Sequence, residues 1–217
     1  MVSWNYGGPF GTVGAMHVWY ASYGSNLARD RFLCYLRGGR PQGATRTYPG
    51  ARDQSHPLGD APLELPGQVF FGWHSPTWDG GVAFYDASSA GGALARAYLI
   101  TEGQFADVAA QEMHRDPGED LDLSTVLEER KHSLGPGRYE SLHLLGDLEG
   151  HPVLTFTSHE DAELPHNPPS EAYLTMVAQG LRETHEHADE DLVDYLLDCP
   201  GVSPHWTREQ VTDLLAA

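Results

Sequence analysis

The sequence predicts an α+β fold in which a small mixed, mostly antiparallel β-barrel is flanked by helices. Three observations predict it. Apolar runs of strand length fill the first two thirds of the chain, Gly-containing turns of hairpin length separate several of them, and helical periodicity dominates the last third. The 217 residues are enough for one domain with one core. We therefore expect a single domain over 17–217, preceded by a flexible Gly-rich extension over 1–16.

The first predicted strand leads directly into a helix. His17–Tyr23 is apolar, aromatic and β-branched, which is typical of a strand. After Gly24-Ser25-Asn26 the apolar residues up to Leu36 recur at helical spacing, and Gly38 marks the end of that helix. Unpaired amides at such a helix start can bind a carboxylate or a developing oxyanion. An ordinary turn capped by Ser25 or Asn26 is the simpler alternative.

The middle of the chain is predicted to be a loop, three strands and a helix. Residues 40–67 are dense in Pro, Gly and Arg, which indicates a long connection. Three apolar strand-like runs follow it, and they begin at Gln68, Val82 and Leu94. Thr101 precedes Gln104 by three residues, the spacing of a capping box, so a helix is expected to begin there.

The rest of the chain is predicted to hold a hairpin and three helices. A charged segment after the Thr101 helix is expected to be a loop. Two β-like runs then flank a turn at 147–150, a pattern that favours a hairpin. Ser170 can cap a helix with an apolar stripe, and shorter helices are expected over Asp189–Asp198 and Arg208–Leu215.

Charge is unevenly distributed along the chain. The formal net charge is −18, yet residues 1–58 contain six Arg against two Asp. A mainly acidic protein lacks the continuous basic face needed for non-specific binding to nucleic acid or to an anionic membrane. The acidic excess is typical of a solvated surface, whereas the basic front third is suited to attracting a small carboxylate-bearing substrate.

Targeting and metal-binding signals are missing from the sequence. No run of about 18 apolar residues occurs, and residues 1–16 do not resemble a signal peptide, so a cytoplasmic location is expected. Cys34 and Cys199 lie far apart, which favours free buried thiols over a disulfide. His185 and His187 are two residues apart, diverge on a helix, and are expected at the surface.

Four segments together resemble a known family. They are "VWYASYGSNL", "ARAYLITEGQFADVAAQEMHR", "RYESLHLLGDLEGHPVLTFT" and "NPPSEAYLTMVAQGLRE". The first is similar to the "YGSN" signature of the gamma-glutamylcyclotransferase-like family, and the others are similar to its later strand, helix and hairpin segments. The resemblance keeps the family's order and spans roughly residues 17–185.

The resemblance implies both a fold and a site. It implies a small mixed barrel flanked by helices, whose cavity closes a γ-glutamyl group into 5-oxoproline and releases an amine or amino acid, without metal or cofactor. Glu112 would be the general acid and base. The substrate would be bound by the signature residues and by an aromatic at the start of the hairpin, namely Tyr23, Gly24, Ser25, Asn26, Leu27 and Tyr139. A half-buried strand aromatic is the alternative for Tyr139.

The chain also departs from the family pattern. Met113 and His114 follow Glu112, where many members have Gly, so the pocket floor is expected to differ. Arg46, Arg52 and the run "WDGGVAFYDA" are candidates for an altered pocket rim, with plain surface positions as the alternative for the two arginines. The γ-glutamyl substrate stays open. Two other functions also stay open: a non-catalytic binding module on the same fold, and an amide hydrolase that uses the same acid.

Overall fold

The computed structural model describes residues 16–42, 44–159, 162 and 164–216. Apart from Met16, the predicted extension over 1–16 lies outside these residues. Eight strands are present in the described residues: β1 His17–Ser22, β2 Gly59–Pro66, β3 Gln68–Ser75, β4 Gly80–Asp86, β5 Gly92–Thr101, β6 Lys131–Ser133, β7 Ser141–Leu148 and β8 His151–Thr157. Six α-helices accompany them: α1 Arg29–Arg37, α2 Glu102–Glu112, α3 Ser124–Glu129, α4 Glu171–Thr184, α5 Asp189–Asp198 and α6 Arg208–Ala216.

The strands form two sheets. Six of them lie in the order β2-β5-β1-β8-β7-β6, with β1 and β8 parallel and the other neighbours antiparallel. Strands β3 and β4 form a separate hairpin. The mixed, mostly antiparallel α+β architecture is thus confirmed.

The expected barrel is not confirmed, because within the described residues the six-stranded sheet stays open. Hairpin β3–β4 is joined to β8 through a side chain instead of a backbone ladder: the Tyr85 N–H donates to Thr157 Oγ1 (3.0 Å), and that hydroxyl donates to the Tyr85 carbonyl (2.9 Å). A side-chain bridge of this kind holds the hairpin against the sheet without closing it.

Strand β1 is covered on both faces. Val18 and Tyr20 pack into one core with α1 and α2, while Trp19 and Ala21 pack into a second core with the hairpin and helices α4–α6. Alternate residues of a strand point to opposite faces, so each face needs its own apolar set. The turn after β1 therefore emerges between two packed layers.

Several local predictions are confirmed. Helix α2 begins with the predicted capping box, in which Thr101 and Gln104 each bond the other's backbone N–H. Strands β7 and β8 form the predicted hairpin, and the Ser170 side chain caps α4. Helices α5 and α6 lie where the periodicity placed them.

Other local predictions need correction. Part of the predicted 40–67 loop is strand β2, which contains Pro62 and Pro66 and lies at a sheet edge, where a missing N–H breaks no ladder bond. The segment after α2, predicted as a loop, contains the short elements α3 and β6. The helix expected from Asn26 is a 3₁₀ turn over Ser25–Leu27, and α1 begins only at Arg29.

The histidine and cysteine predictions were partly wrong. His185 is buried, not at the surface, because helix α4 ends at Thr184 and turns the ring inward, where its Nε2 lies 3.2 Å from the Ala95 carbonyl. Both cysteines are free as predicted, but Cys34 is only half-buried. In the described part of the chain, no helix has the length and apolar character needed to cross a bilayer.

Candidate active site

A cavity of about 670 Å³, including its open mouth, lies where β1 ends. Of this volume, about 70 Å³ is open to the centre of a water-sized molecule. Six of the seven residues predicted for the site line it: Tyr23, Gly24, Ser25, Asn26, Glu112 and Tyr139. The exception is Leu27, whose fully buried side chain lies in the core, so it supports the turn instead of facing a ligand.

Glu112 and the signature turn meet in this cavity. Helix α2 carries Glu112 as its last residue, and the Asn26 Nδ2 donates to Glu112 Oε1 at 3.0 Å. The same Asn26 nitrogen lies 3.3 Å from the Tyr20 hydroxyl. The two segments that carry the family resemblance are 86 residues apart in sequence, and one hydrogen bond joins them.

The environment of Glu112 shifts its ionisation. Burial raises the pKa of this carboxyl, while the Arg31 charge and hydrogen bonds from Tyr35 and Asn26 oppose the rise. The side chain is densely surrounded by protein and is partly accessible from the cavity that it lines. A carboxyl with a raised pKa and donors to its ionised form is suited to taking up and releasing a proton.

Arg31 lies on α1 beside Glu112. Its Nη2 donates to the hydroxyls of Tyr35 (3.1 Å) and Tyr48 (2.9 Å). The guanidinium carbon also lies 4.5 Å from the centre of each of these rings. The Arg31 charge and the Tyr35 hydroxyl both lower the pKa of Glu112, so they favour the ionised carboxylate.

The signature glycine is closely surrounded by other residues. Gly24 has φ −118° and ψ −143°, which is outside the left-handed region. A Cβ at this position would lie 3.0 Å from the Tyr173 hydroxyl and 3.2 Å from the Ala83 Cβ. The Tyr173 hydroxyl, which also accepts the Ala83 N–H at 3.1 Å, thus packs directly on the turn.

The two predicted tyrosines lie in the cavity wall with their hydroxyls engaged. Tyr23 donates to the Phe156 carbonyl at 2.8 Å, and Tyr139 donates to the Ala83 carbonyl at 2.9 Å. Tyr139 also stacks on Phe84, with ring centres 5.1 Å apart. Tyr139 is thus a half-buried aromatic in the turn before β7 that also lines the cavity, and its contact with a substrate stays a prediction.

The rim of the cavity is basic. His114 and Arg46 both line the cavity and form a close hydrogen bond through His114 Nδ1. Burial and the charges of Arg46 and Arg138 lower the pKa of His114. Arg138 stacks on Trp73, 3.6 Å from the ring centre. Arg52 is not among the lining residues but pairs with Asp107 on α2 at 3.0 Å, so of the two candidate rim arginines only Arg46 is at the rim.

Solved structures share this arrangement of elements. A structure described as "Gamma-glutamyl cyclotransferase" has a TM-score of 0.51 and 16% identity, over 92% of this chain and 98% of its own. An uncharacterized protein from Homo sapiens has the same TM-score and identity, over 93% of this chain and 99% of its own. The chain has a gamma-glutamylcyclotransferase-like fold. The resemblance seen in the sequence is thereby confirmed at the level of the mixed α+β fold, whereas the barrel that it implied is not.

Sequence comparison adds one long relative and no family model. A search of protein-family models finds no match. Histone deacetylase 5 of Arabidopsis thaliana is 33% identical over 198 residues, which cover 82% of this chain and 30% of the plant protein. The chain thus spans less than a third of the length of this relative, and most of the plant protein lies outside the match.

Several cavity residues of this gamma-glutamylcyclotransferase-like fold were not predicted from the sequence. They include Arg31, Tyr35, Gln111 and Tyr173. Two signals were available: Arg31 and Tyr35 are four apart on one helix face, and Gln111 adjoins Glu112. Among the described residues no group of three or more His, Cys, Asp or Glu is arranged to hold a metal ion.

Proposed function

We propose that this protein is a gamma-glutamylcyclotransferase-like enzyme that cyclises a γ-glutamyl group to 5-oxoproline and releases an amine or amino acid. The observation that carries the proposal is the 3.0 Å hydrogen bond that brings Glu112 and the signature turn into one cavity. The fold shared with a gamma-glutamyl cyclotransferase supports it. The cytoplasmic location and the lack of nucleic-acid or membrane partners stay predictions from the sequence.

In this mechanism Glu112 transfers protons, and the signature turn stabilises the negative charge that develops on the γ-carbonyl oxygen. Glu112 takes a proton from the substrate's α-ammonium, the freed amine attacks the γ-carbonyl carbon, and Glu112 then protonates the departing nitrogen. One C–N bond forms and one breaks. The two protons lost by the α-nitrogen equal the two gained by the released amine, so no water or cofactor is consumed. Backbone amides around Gly24, Ser25 and Asn26 are proposed as donors to the γ-carbonyl oxygen.

The other cavity residues have supporting roles in the proposal. Tyr23 and Tyr139 have their hydroxyls bonded to carbonyls, so they contribute ring surface to the substrate. Leu27 anchors the turn in the core. A deacetylase activity is not adopted from the name of the plant relative, because the match covers only 30% of that protein.

Product analysis with a matched pair of variants tests this function. Wild type, Glu112→Gln and the control Glu102→Gln would be incubated with a γ-glutamyl amino acid and a γ-glutamylamine, and the products identified by mass spectrometry. Glu102 is an exposed acid on the same helix. We expect 5-oxoproline from wild type and the control, and a rate lower by about 10²–10⁴-fold in Glu112→Gln with binding retained.

Three results would contradict the proposal in different ways. Release of glutamate in place of 5-oxoproline would favour the amide hydrolase. Binding of the γ-glutamyl compounds with no product from wild type would favour the non-catalytic binding module. Equal rates for wild type and Glu112→Gln would remove Glu112 from its role.

A further inference from the structure

Unsatisfied buried polar atoms are concentrated at this one cavity. In the described part of the chain, four buried side-chain atoms lack a hydrogen-bond partner: Asn26 Oδ1, Arg31 Nε, Arg31 Nη1 and Gln111 Oε1. The three residues are 3%, 3% and 0% exposed, and all of them line the cavity. Buried polar groups in proteins are nearly always hydrogen-bonded, so such a cluster points to a ligand with matching groups.

The neighbours of Asn26 and Gln111 fix which end of each side-chain amide is the oxygen. Gln111 Nε2 donates to the carbonyls of Tyr35 and Asp107, both at 3.0 Å, and a carbonyl can only accept. Asn26 Nδ2 faces the Glu112 carboxylate, which accepts when ionised. Rotating either amide would set oxygen against oxygen, so both Oδ1 and Oε1 are acceptors in need of a donor.

Arg31, in contrast, has N–H donors that lack acceptors. Its Nη2 is used by two tyrosines, which leaves the N–H groups of Nε and Nη1 without acceptors. No carboxylate of the described residues lies within ion-pair distance of it. Arg96, which is also buried, has Asp60 at 2.6 Å and Glu183 at 3.0 Å. A buried cation without a bonded anion is costly to maintain unless an anion arrives with the ligand.

We propose that Arg31 is a specificity-determining residue that binds the α-carboxylate of the γ-glutamyl group, while the amide oxygens of Asn26 and Gln111 accept from its α-ammonium. Free N–H donors around one cation and free acceptors beside Glu112 together match a zwitterionic α-amino acid head. This inference rests on the proposed function, since it takes the γ-glutamyl group as the occupant. A monoanion fits best, because Glu112 would repel a second negative charge.

Binding of two ring compounds tests the carboxylate contact apart from turnover. 5-Oxoproline and 2-pyrrolidinone share the lactam ring, and only the first carries a carboxylate. Calorimetry would compare wild type, Arg31→Met and Arg31→Lys, with Arg37→Met as an exposed control on the same helix. We expect 5-oxoproline to bind at least about tenfold more weakly to both Arg31 variants, and wild type to prefer it over 2-pyrrolidinone by a similar factor.

A role limited to holding Tyr35 and Glu112 would give a different result. Arg31→Lys would then lower kcat and alter its pH profile with an unchanged affinity for 5-oxoproline, and that outcome overturns the proposal. So does equal binding of both rings, or of neither, to wild type. If the variants do not fold, the Nε–H resonance of Arg31 in wild type serves instead: it must shift on adding 5-oxoproline while that of Arg96 stays fixed.

The two proposals can fail separately. If no γ-glutamyl compound yields 5-oxoproline but binding of the ring carboxylate still depends on Arg31, the reaction is wrong and the carboxylate contact stands. If 5-oxoproline forms and Arg31→Met binds it as tightly as wild type does, the reaction stands and the contact is wrong.

Discussion

The burial that suits Glu112 to proton transfer also makes its ionised form destabilising for the folded protein. Burial raises the pKa of its carboxyl, so the folded state favours the protonated form more than the unfolded chain does. As the pH rises through the raised pKa, the unfolded chain has already released its proton, and the folded state loses stability relative to it. The proposed base role needs an ionised Glu112, and this ionised form lowers the stability of the folded protein.

This predicts a stabilising active-site substitution. Glu112→Gln cannot titrate and can still accept from Asn26, so we expect it to have a larger free energy of unfolding than wild type at about pH 8. The difference should shrink as the pH falls below the ordinary pKa of Glu, about 4.3. Urea unfolding at several pH values measures it, with Glu102→Gln as the exposed control. A variant less stable than wild type by a constant amount at every pH would contradict the prediction.

At the residue scale, the sequence predicted one part of the site and missed another. Glu112 and the signature turn were predicted because a contiguous motif carries each of them. Arg31 was missed because its burial depends on Tyr48 and Trp78, which approach it from other segments. The four-residue spacing of Arg31 and Tyr35 shows that they share a helix face, but the unbonded N–H groups of Arg31 depend on the assembled fold.

At the element scale, the signature turn depends on close packing against α4. A Cβ at Gly180 would lie 2.3 Å from the Ala28 nitrogen and 2.4 Å from the Leu27 carbonyl carbon, which are backbone atoms that cannot easily move. Glycine in mid-helix is intrinsically unfavourable. Its presence here therefore indicates that helix and turn must approach this closely to keep the cavity in shape.

We predict that Gly180→Ala destabilises the protein by about 1–3 kcal/mol, the usual effect of overpacking, and lowers turnover by displacing the turn. Chemical unfolding and steady-state kinetics would measure the two effects. Gly103→Ala is the matched control on α2, since the nearest atoms to its Cβ lie at 3.9 Å. Wild-type stability and rate in Gly180→Ala would show that the close approach is not needed.

Elements with strong local signals were predicted, and those that depend on tertiary context were not. The capping box of α2 and the β7–β8 hairpin each have a signal within a few residues. Strand β2 was missed because its prolines argue against a strand, and only pairing with β5 shows it to be an edge strand. The 3₁₀ turn at Ser25–Leu27 was predicted as part of an α-helix, because three residues are too few for the sequence to distinguish a 3₁₀ turn from an α-helical turn.

At the scale of the whole molecule, a net charge of −18 surrounds a cavity lined by three arginines, Arg31, Arg46 and Arg138. Self-repulsion among the surface carboxylates destabilises the compact state, and salt screens it. The predicted barrel is not confirmed at this scale: the β3–β4 hairpin meets β8 through the hydrogen bonds between Tyr85 and Thr157, a long-range contact that strand patterns do not report.

We predict that raising NaCl from about 10 mM to about 300 mM at neutral pH increases Tm by about 2–4 °C, the shift that ~1 kcal/mol produces in a domain of this size. Near pH 5, close to the isoelectric point of about 4.8 expected from the composition, the net charge is small and the effect should largely disappear. Thermal melts at both pH values measure it. A Tm that falls with salt at neutral pH would show that attractive ion pairs outweigh the repulsion.

The prolines of β2 have a consequence for association. Pro62 and Pro66 lie in a strand at the border of the six-stranded sheet, and the opposite border is the three-residue strand β6. Two prolines remove two N–H donors from the β2 border, and β6 offers only three residues, so both strands are poor templates for another chain. Addition of a strand from a second molecule is therefore disfavoured at β2 and at β6.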